Sequence, residues 1–220
     1  MHVIQRGNNR SRVFGNSRDR SAYLNAMFKS AALSKCAVHA YVLMTNHVHI
    51  LLTPGDAESA ARMMRRLGAV YVRRFNEGHQ RTGTLWEDRF RSIIIESDRY
   101  FFECSRYIEL NPVRAGMVNH PADHPWSSYS ANALGQADSR LCPHPLYQGL
   151  GGSGAARCRE YRALFAVAIS ADSLELLRGK GVAGSDEFCA NVLAASPKHV
   201  RSFAHGGDRR SQEFRRDSGR

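Results

Sequence analysis

At 220 residues, 43% of them hydrophobic and 23% charged, the chain can bury one sizeable core with a small appendage, but not two large domains. Its net charge is +11, and all but four of its 31 basic residues (Lys29, Lys35, Lys180, Lys198) are Arg; the planar guanidinium fork meets phosphate oxygens in pairs, so this bias suits a nucleic-acid partner, although a GC-rich codon usage gives the same excess. No run approaches the roughly 18 apolar residues that a membrane span needs, the N-terminus turns polar early, and the five cysteines (Cys36, Cys104, Cys142, Cys158, Cys189) form no C-x-x-C pair; a cytoplasmic, nucleoid-associated protein with reduced thiols is expected, with no anchor, disulfide framework or zinc ribbon.

The first element is a short strand from His2 to Gln5, ended by the turn signal Gly7-Asn8-Asn9. Apolar residues at helical spacing (Tyr23, Met27, Phe28, Ala31) predict a helix over 18–32, with Ser17 or Asp19 near its start. Two β-branched and aromatic runs, 37–44 and 49–53, flank Thr45-Asn46 and predict a hairpin. An amphipathic helix follows over 57–76, with Ala60, Met63, Met64, Leu67, Val70, Tyr71 and Phe75 on one side. Its other side carries Arg62, Arg65, Arg66 and Arg73. These read as lacking balancing carboxylates at i+4, and so as a face for a DNA backbone rather than a merely solvated one. A fourth extended segment over 84–97 precedes a helix over 99–111, capped by Ser97 or Asp98 and stopped by Pro112.

The first six elements give the split β-α-β order of an α+β, ferredoxin-like antiparallel sheet with helices packed on it. Residues 1–130 are expected to form this domain and 131–200 a mostly helical extension, with short helices over 155–169, 172–178 and 186–195. A basic tail, 201–220, is expected to be disordered.

His47-Val48-His49 carries the strongest chemical signal. Strand alternation puts both imidazoles on one face, at a spacing where two ring nitrogens can converge on one cation. Histidines at i and i+2 are more often surface residues. This strand is otherwise apolar (Val48, Ile50, Leu51, Leu52), however, and a buried imidazole pair there needs polar partners or a metal. Tyr107 and Asn111 share a helix face one turn apart. Alone they read as a core aromatic with a satisfied hydroxyl and a C-terminal helix residue; the histidine pair changes that reading.

These residues lie in four ordered runs, HVIQRGNNR, AYVLMTNHVHILLTP, GTLWEDRFRS and RYIELNPVRAGMV, and WSSY follows at Trp126 to Tyr129. Together they resemble the successive motifs of single-tyrosine HUH transposases, especially the REP-associated tyrosine transposases of bacteria; Asp88 departs from the Gly common at its position. The resemblance implies a ferredoxin-like core, with His47, His49 and Asn111 as ligands of Mg²⁺ or Mn²⁺ and Tyr107 as the nucleophile. It further implies cleavage and rejoining of single-stranded DNA at hairpin-forming sequences through a 5′-phosphotyrosine. Arg6, Arg10 and Arg12, with the four arginines of the second helix, are the candidate DNA contacts, and a monomer or homodimer is expected. A non-catalytic DNA-binding repressor on the same fold, and an HUH replication initiator or relaxase, are the alternatives. An intact set of two histidines, one tyrosine and Asn at i+4 favours the transposase.

Overall fold

The computed structural model of the chain describes residues 1–179 and 181–195; the tail expected at 201–220 lies outside the described residues. Strand β1 (His2–Arg6) runs into Gly7, whose amide donates to the Asn46 carbonyl at 2.8 Å. A Cβ at Gly7 would sit 2.4 Å from the Ser11 carbonyl oxygen and 2.6 Å from Val13 Cγ1, so only glycine lets the two loops approach this closely. Helix α1 (Ser17–Leu33) is capped by Asn16 rather than by Ser17 or Asp19: the Asn16 side chain accepts from the Asp19 amide, and the Asp19 carboxylate reaches back to the Asn16 amide.

Strands β2 (Cys36–Leu43) and β3 (His47–Pro54) form the expected hairpin, closed by the Met44 amide on the His47 carbonyl. β3 starts earlier than the apolar run alone predicts because β1 pairs with it throughout, from His2 opposite Leu51 to Arg6 opposite His47. A bulge at His39 shifts the β2 register, so that Ala40 faces the same way as Leu51 while Tyr41 faces the same way as Ile50. Helix α2 (Ser59–Gly78) follows, and β4 (Arg91–Ile95) occupies only the end of the extended segment expected over 84–97. The earlier part of that segment is irregular, with Leu85 and Trp86 buried in the core under α1 and α2. Helix α3 (Ser97–Glu109) is bounded by Glu96, whose carboxylate accepts instead from the Ser185 amide at 2.7 Å. A single turn, α4 (Asn111–Arg114), carries Pro112 where its missing N–H costs nothing.

The sheet order is β2-β3-β1-β4, antiparallel throughout, as a ferredoxin-like core requires. Alternation divides its side chains between two cores. Val3, Val48, Ile50 and Leu52 pack under α1 and α2, against Tyr23, Met27, Met63, Leu67 and Tyr71. Ala40, Val42, Leu51, Ile93 and Ile95 pack under α3, against Tyr100, Phe101, Cys104, Tyr107 and Ile108. Each fully buried Leu, Ile or Met contributes about 1.5–3 kcal/mol, so both sheet faces are strongly committed.

After residue 130 the chain is mainly helical, as expected, in α5 (Tyr129–Leu134), α6 (Pro145–Gln148), α7 (Gly154–Ala163), α8 (Ala171–Arg178) and α9 (Asp186–Ala195). It also supplies β5 (Gly181–Ala183), which pairs in parallel with β4 and extends the sheet to five strands. No helix among the described residues is long and apolar enough to cross a membrane.

Candidate active site

His47 and His49 leave β3 on the α3 side of the sheet, directly opposite Arg6 and Ile4 of β1. Their ring centroids lie 5.1 Å apart with the planes at 79°. Asn46 sets the His47 ring. Its Nδ2 donates to the Arg10 carbonyl at 3.0 Å, which turns Oδ1 toward His47 Nδ1 at 2.7 Å. An amide oxygen only accepts, so Nδ1 carries the His47 proton and Nε2 keeps its lone pair. Burial, reinforced by Arg6, lowers the His47 pKa to about 4. His49 is driven well below the ordinary imidazole value by burial first, and then by His2, His47, Arg6 and Arg114. Both rings are therefore neutral at pH 7, the form that can donate to a cation.

Tyr107 comes down from α3 onto the same patch, its ring 5.8 Å from that of His49 and nearly perpendicular to it. The helix places it there because Tyr100, Phe101, Cys104 and Ile108 commit this face to the sheet. Two buried tyrosines spend their hydroxyls within the protein, Tyr71 on the Val13 carbonyl and Tyr161 on Glu109, while the Tyr23 hydroxyl is sealed without a partner among the described residues. The Tyr107 hydroxyl makes no hydrogen bond among the described residues and is not one of the sealed, orphaned polar atoms. It is open to a substrate. Asn111, one turn on, ties its Nδ2 to the Tyr107 carbonyl at 2.8 Å, which leaves Oδ1 as the free end of the amide.

Among the described residues no group of three or more His, Cys, Asp and Glu side chains could hold a metal ion. The donor set expected from sequence is of another kind, two imidazoles and an amide oxygen. Its chemistry fits a divalent cation, since the neutral rings offer nitrogen lone pairs and the amide an oxygen.

A protein-family model described as "Transposase IS200 like" matches residues 1–111, the span that holds β1 to β4, both histidines, Tyr107 and Asn111. The chain belongs to the IS200-like transposase family. It is thereby one of a family of DNA-processing enzymes. A solved structure described as "Structure of the REP associates tyrosine transposase bound to a REP hairpin" is similar over 65% of this chain and 84% of its own, at 20% identity and a TM-score of 0.48. No curated protein matches.

The seven arginines expected to contact DNA in this IS200-like transposase fall into two groups. Arg6 is exposed beside His47, and Arg10 and Arg12 are exposed in the loop that follows β1. Arg62, Arg65, Arg66 and Arg73 lie on the exposed side of α2, across the sheet from Tyr107. They are less unbalanced than the sequence reading held. Arg62 pairs with Asp56 at 2.7 Å, and Arg73 with Glu77 at i+4, 2.8 Å away. Asp56 precedes the helix, where i+4 counting does not look, and Glu77 lies beyond the apolar run used to bound it.

Three neighbours of the candidate site were not singled out from sequence. Arg114 covers the Tyr107 ring, and its spacing, seven after the tyrosine, places it on the same side two turns on. His2 contacts His49 across strands, a pairing that only the register reveals. Glu109, two residues after Tyr107, is fully buried; its carboxylate accepts from Ser128 Oγ, Asn132 Nδ2 and Tyr161 OH, tying α3 to α5 and α7. Burial raises its pKa to about 7 against the opposing pull of those three hydrogen bonds.

Proposed function

We propose that this transposase cuts and rejoins single-stranded DNA at hairpin-forming sequences, with Tyr107 as nucleophile and His47, His49 and Asn111 as ligands of Mg²⁺ or Mn²⁺. The observation that carries the reading is the meeting of the two neutral imidazoles and the uncommitted Tyr107 on one patch of the sheet. A tyrosine hydroxyl, with a pKa near 10 in water, is a weak nucleophile at pH 7. The divalent ion, when bound, supplies charge to the scissile phosphate. His47 and His49 present their Nε2 lone pairs, and Asn111 its Oδ1, without competing protons. Tyr107 Oη gives up its proton as it attacks phosphorus, the P–O3′ bond breaks, and the departing 3′ oxygen takes up a proton; the DNA 5′ end remains on the tyrosine as a phosphodiester. Attack by a 3′-OH on that ester reverses the bonds, so rejoining needs no ATP. Arg6, Arg10 and Arg12 approach the strand near the histidines, and Arg62, Arg65, Arg66 and Arg73 contact DNA further away.

The fold suits this chemistry because β3 and α3 are each held by a committed core, so the reacting groups meet without a flexible loop between them. The test is to incubate the protein and Mg²⁺ with single-stranded DNA from the flanks of its own gene. A protein–DNA adduct that survives denaturation and maps to Tyr107 is expected. An adduct on another residue, or a protein that binds these strands without ever forming one, overturns the proposal, and the second result favours the non-catalytic repressor.

A further inference from the structure

His2 is fully buried, stacks on His49 with centroids 5.1 Å apart, and places its Nε2 2.8 Å from His49 Nδ1. It stands diagonally from His49 on the paired strands, since His49 is opposite Ile4 and His2 opposite Leu51. Its own Nδ1 is sealed from solvent and has no partner among the described residues. The contact with His49 is made through Nε2 and leaves Nδ1 unanswered; it is the single hydrogen bond that His2 has among the described residues to hold its ring.

The contact admits two arrangements. If His2 donates, His49 Nδ1 accepts, and the His49 proton must sit on Nε2, where it blocks a cation. If His49 Nδ1 donates, His2 Nε2 accepts, the His2 proton occupies its sealed Nδ1, and His49 Nε2 keeps a free lone pair. We propose that His2 is a positioning residue that accepts the His49 Nδ1 proton and so fixes His49 in the tautomer whose Nε2 can ligate a divalent cation. His47 has the same arrangement, with Asn46 Oδ1 as the acceptor on Nδ1. Each ring of the pair thus has its own acceptor, one from the hairpin turn and one from β1. Outer partners of this kind hold ring orientation and raise the basicity of a ligating nitrogen. The inference rests on the metal reading proposed above, yet the tautomer exists without the metal.

Nitrogen-15 NMR of the imidazoles in the metal-free protein reads the tautomer directly. His49 is expected as the Nδ1–H form in the native chain and as a mixture in His2→Phe, which keeps the stacked ring and removes the acceptor. His2→Gln returns an acceptor oxygen and should restore the Nδ1–H form. Titration with Mn²⁺ should show binding weakened about 10–100-fold in His2→Phe and within about threefold of native in His2→Gln. A native His49 in the Nε2–H form overturns the proposal, and so does a folded His2→Phe that binds Mn²⁺ like the native chain. Should His2→Phe fail to fold, the native spectrum and His2→Gln still decide. If the native protein binds no Mn²⁺ but His49 is Nδ1–H and loses that form in His2→Phe, the positioning role stands and the metal reading falls.

Discussion

The Cζ of Arg114 lies 4.8 Å from the ring centroid of Tyr107, placing a fixed positive charge over the residue proposed to attack the DNA. Arg114 sits in the turn α4, and its backbone amide donates to the Leu110 carbonyl at 2.9 Å, which ties the turn to the end of α3. A guanidinium beside a nucleophile can hold the scissile phosphate bidentately and stabilise charge as it develops. Arg114→Gln should therefore slow adduct formation about 10–100-fold at saturating DNA. Arg114→Lys should recover part of that loss, as a point charge without the fork. Single-turnover rates decide; an Arg114→Gln protein at native rate would remove Arg114 from the reaction.

Tyr107→Phe deletes only the attacking oxygen and leaves the packing of the ring under α3 intact. It should abolish the covalent adduct and change DNA affinity no more than a few-fold. Gel-resolved adducts and equilibrium binding on the same oligonucleotide measure the two effects separately. Persistence of the adduct would move the nucleophile to another residue.

Removing the cation with excess EDTA should stop cleavage by the native protein, and His47→Ala or His49→Ala should do the same in the presence of Mg²⁺. Asn46→Ala is the milder companion. It frees the His47 ring without deleting a ligand and should cost about 10-fold or more in metal affinity. Full cleavage in EDTA would exclude the metal assignment, whatever the fate of the histidine variants.

Much of the candidate site was legible because its residues lie within short stretches of chain. His47 and His49 share a strand, and Asn111 opens the turn α4 that follows the end of α3, where its side chain reaches back to the Tyr107 carbonyl, so short spacings bring each pair together. The side chains that complete it come from contacts that period cannot give. His2 meets His49 only through the β1–β3 register. Glu109 reads in sequence as an ordinary exposed helix charge until Ser128, Asn132 and Tyr161 close over it from residues far along the chain. The fifth strand was hidden for a similar reason: Gly181–Ala183 is too short and too glycine-rich to announce itself, and it is a strand because the edge of β4 offers it a ladder.

Several imidazoles are buried neutral, which sets the response to acid. Burial lowers His2 to about 3 and His39 and His47 to about 4. Unfolded, these groups take up protons as pH falls below about 6.5. Folded, they do not until near pH 4, so the stability they contribute is present above about 6.5 and is lost as pH falls toward 4. Glu109 runs the other way. Its raised pKa means that the folded chain holds a proton the unfolded chain has released, so stability falls as pH rises from the ordinary carboxylate range through about 7. Three histidines outweigh one carboxyl, and urea midpoints should rise from pH 4.5 to 6.5. Glu109→Gln, permanently neutral, should gain on the native protein between pH 5 and 8 by about 1–2 kcal/mol. A gain that shrinks with rising pH would contradict the raised pKa of the buried Glu109.

The two basic groups can be told apart by salt. Each phosphate contact to a single strand contributes a slope of about −0.7 in log affinity against log salt. Replacing Arg62, Arg65, Arg66 and Arg73 by Gln keeps helix propensity and removes charge, so α2 should survive while the slope flattens by roughly 1 to 3 units. The lower end is the better expectation, because Arg62 and Arg73 already hold Asp56 and Glu77 and must give up those carboxylates to meet a phosphate. Since α2 lies across the sheet from Tyr107, the adduct rate at saturating DNA should stay near native. Arg6 stands opposite His47, with Arg10 and Arg12 in the loop that follows β1, and replacing all three should flatten the slope and also slow adduct formation, because Arg6 faces His47 directly. Binding to a hairpin oligonucleotide across a salt series, with thermal melting as the folding control, separates the groups. An unchanged slope in a folded α2 variant would mean that DNA never reaches that helix, and would leave the loop after β1 and Arg114 as the path of the strand.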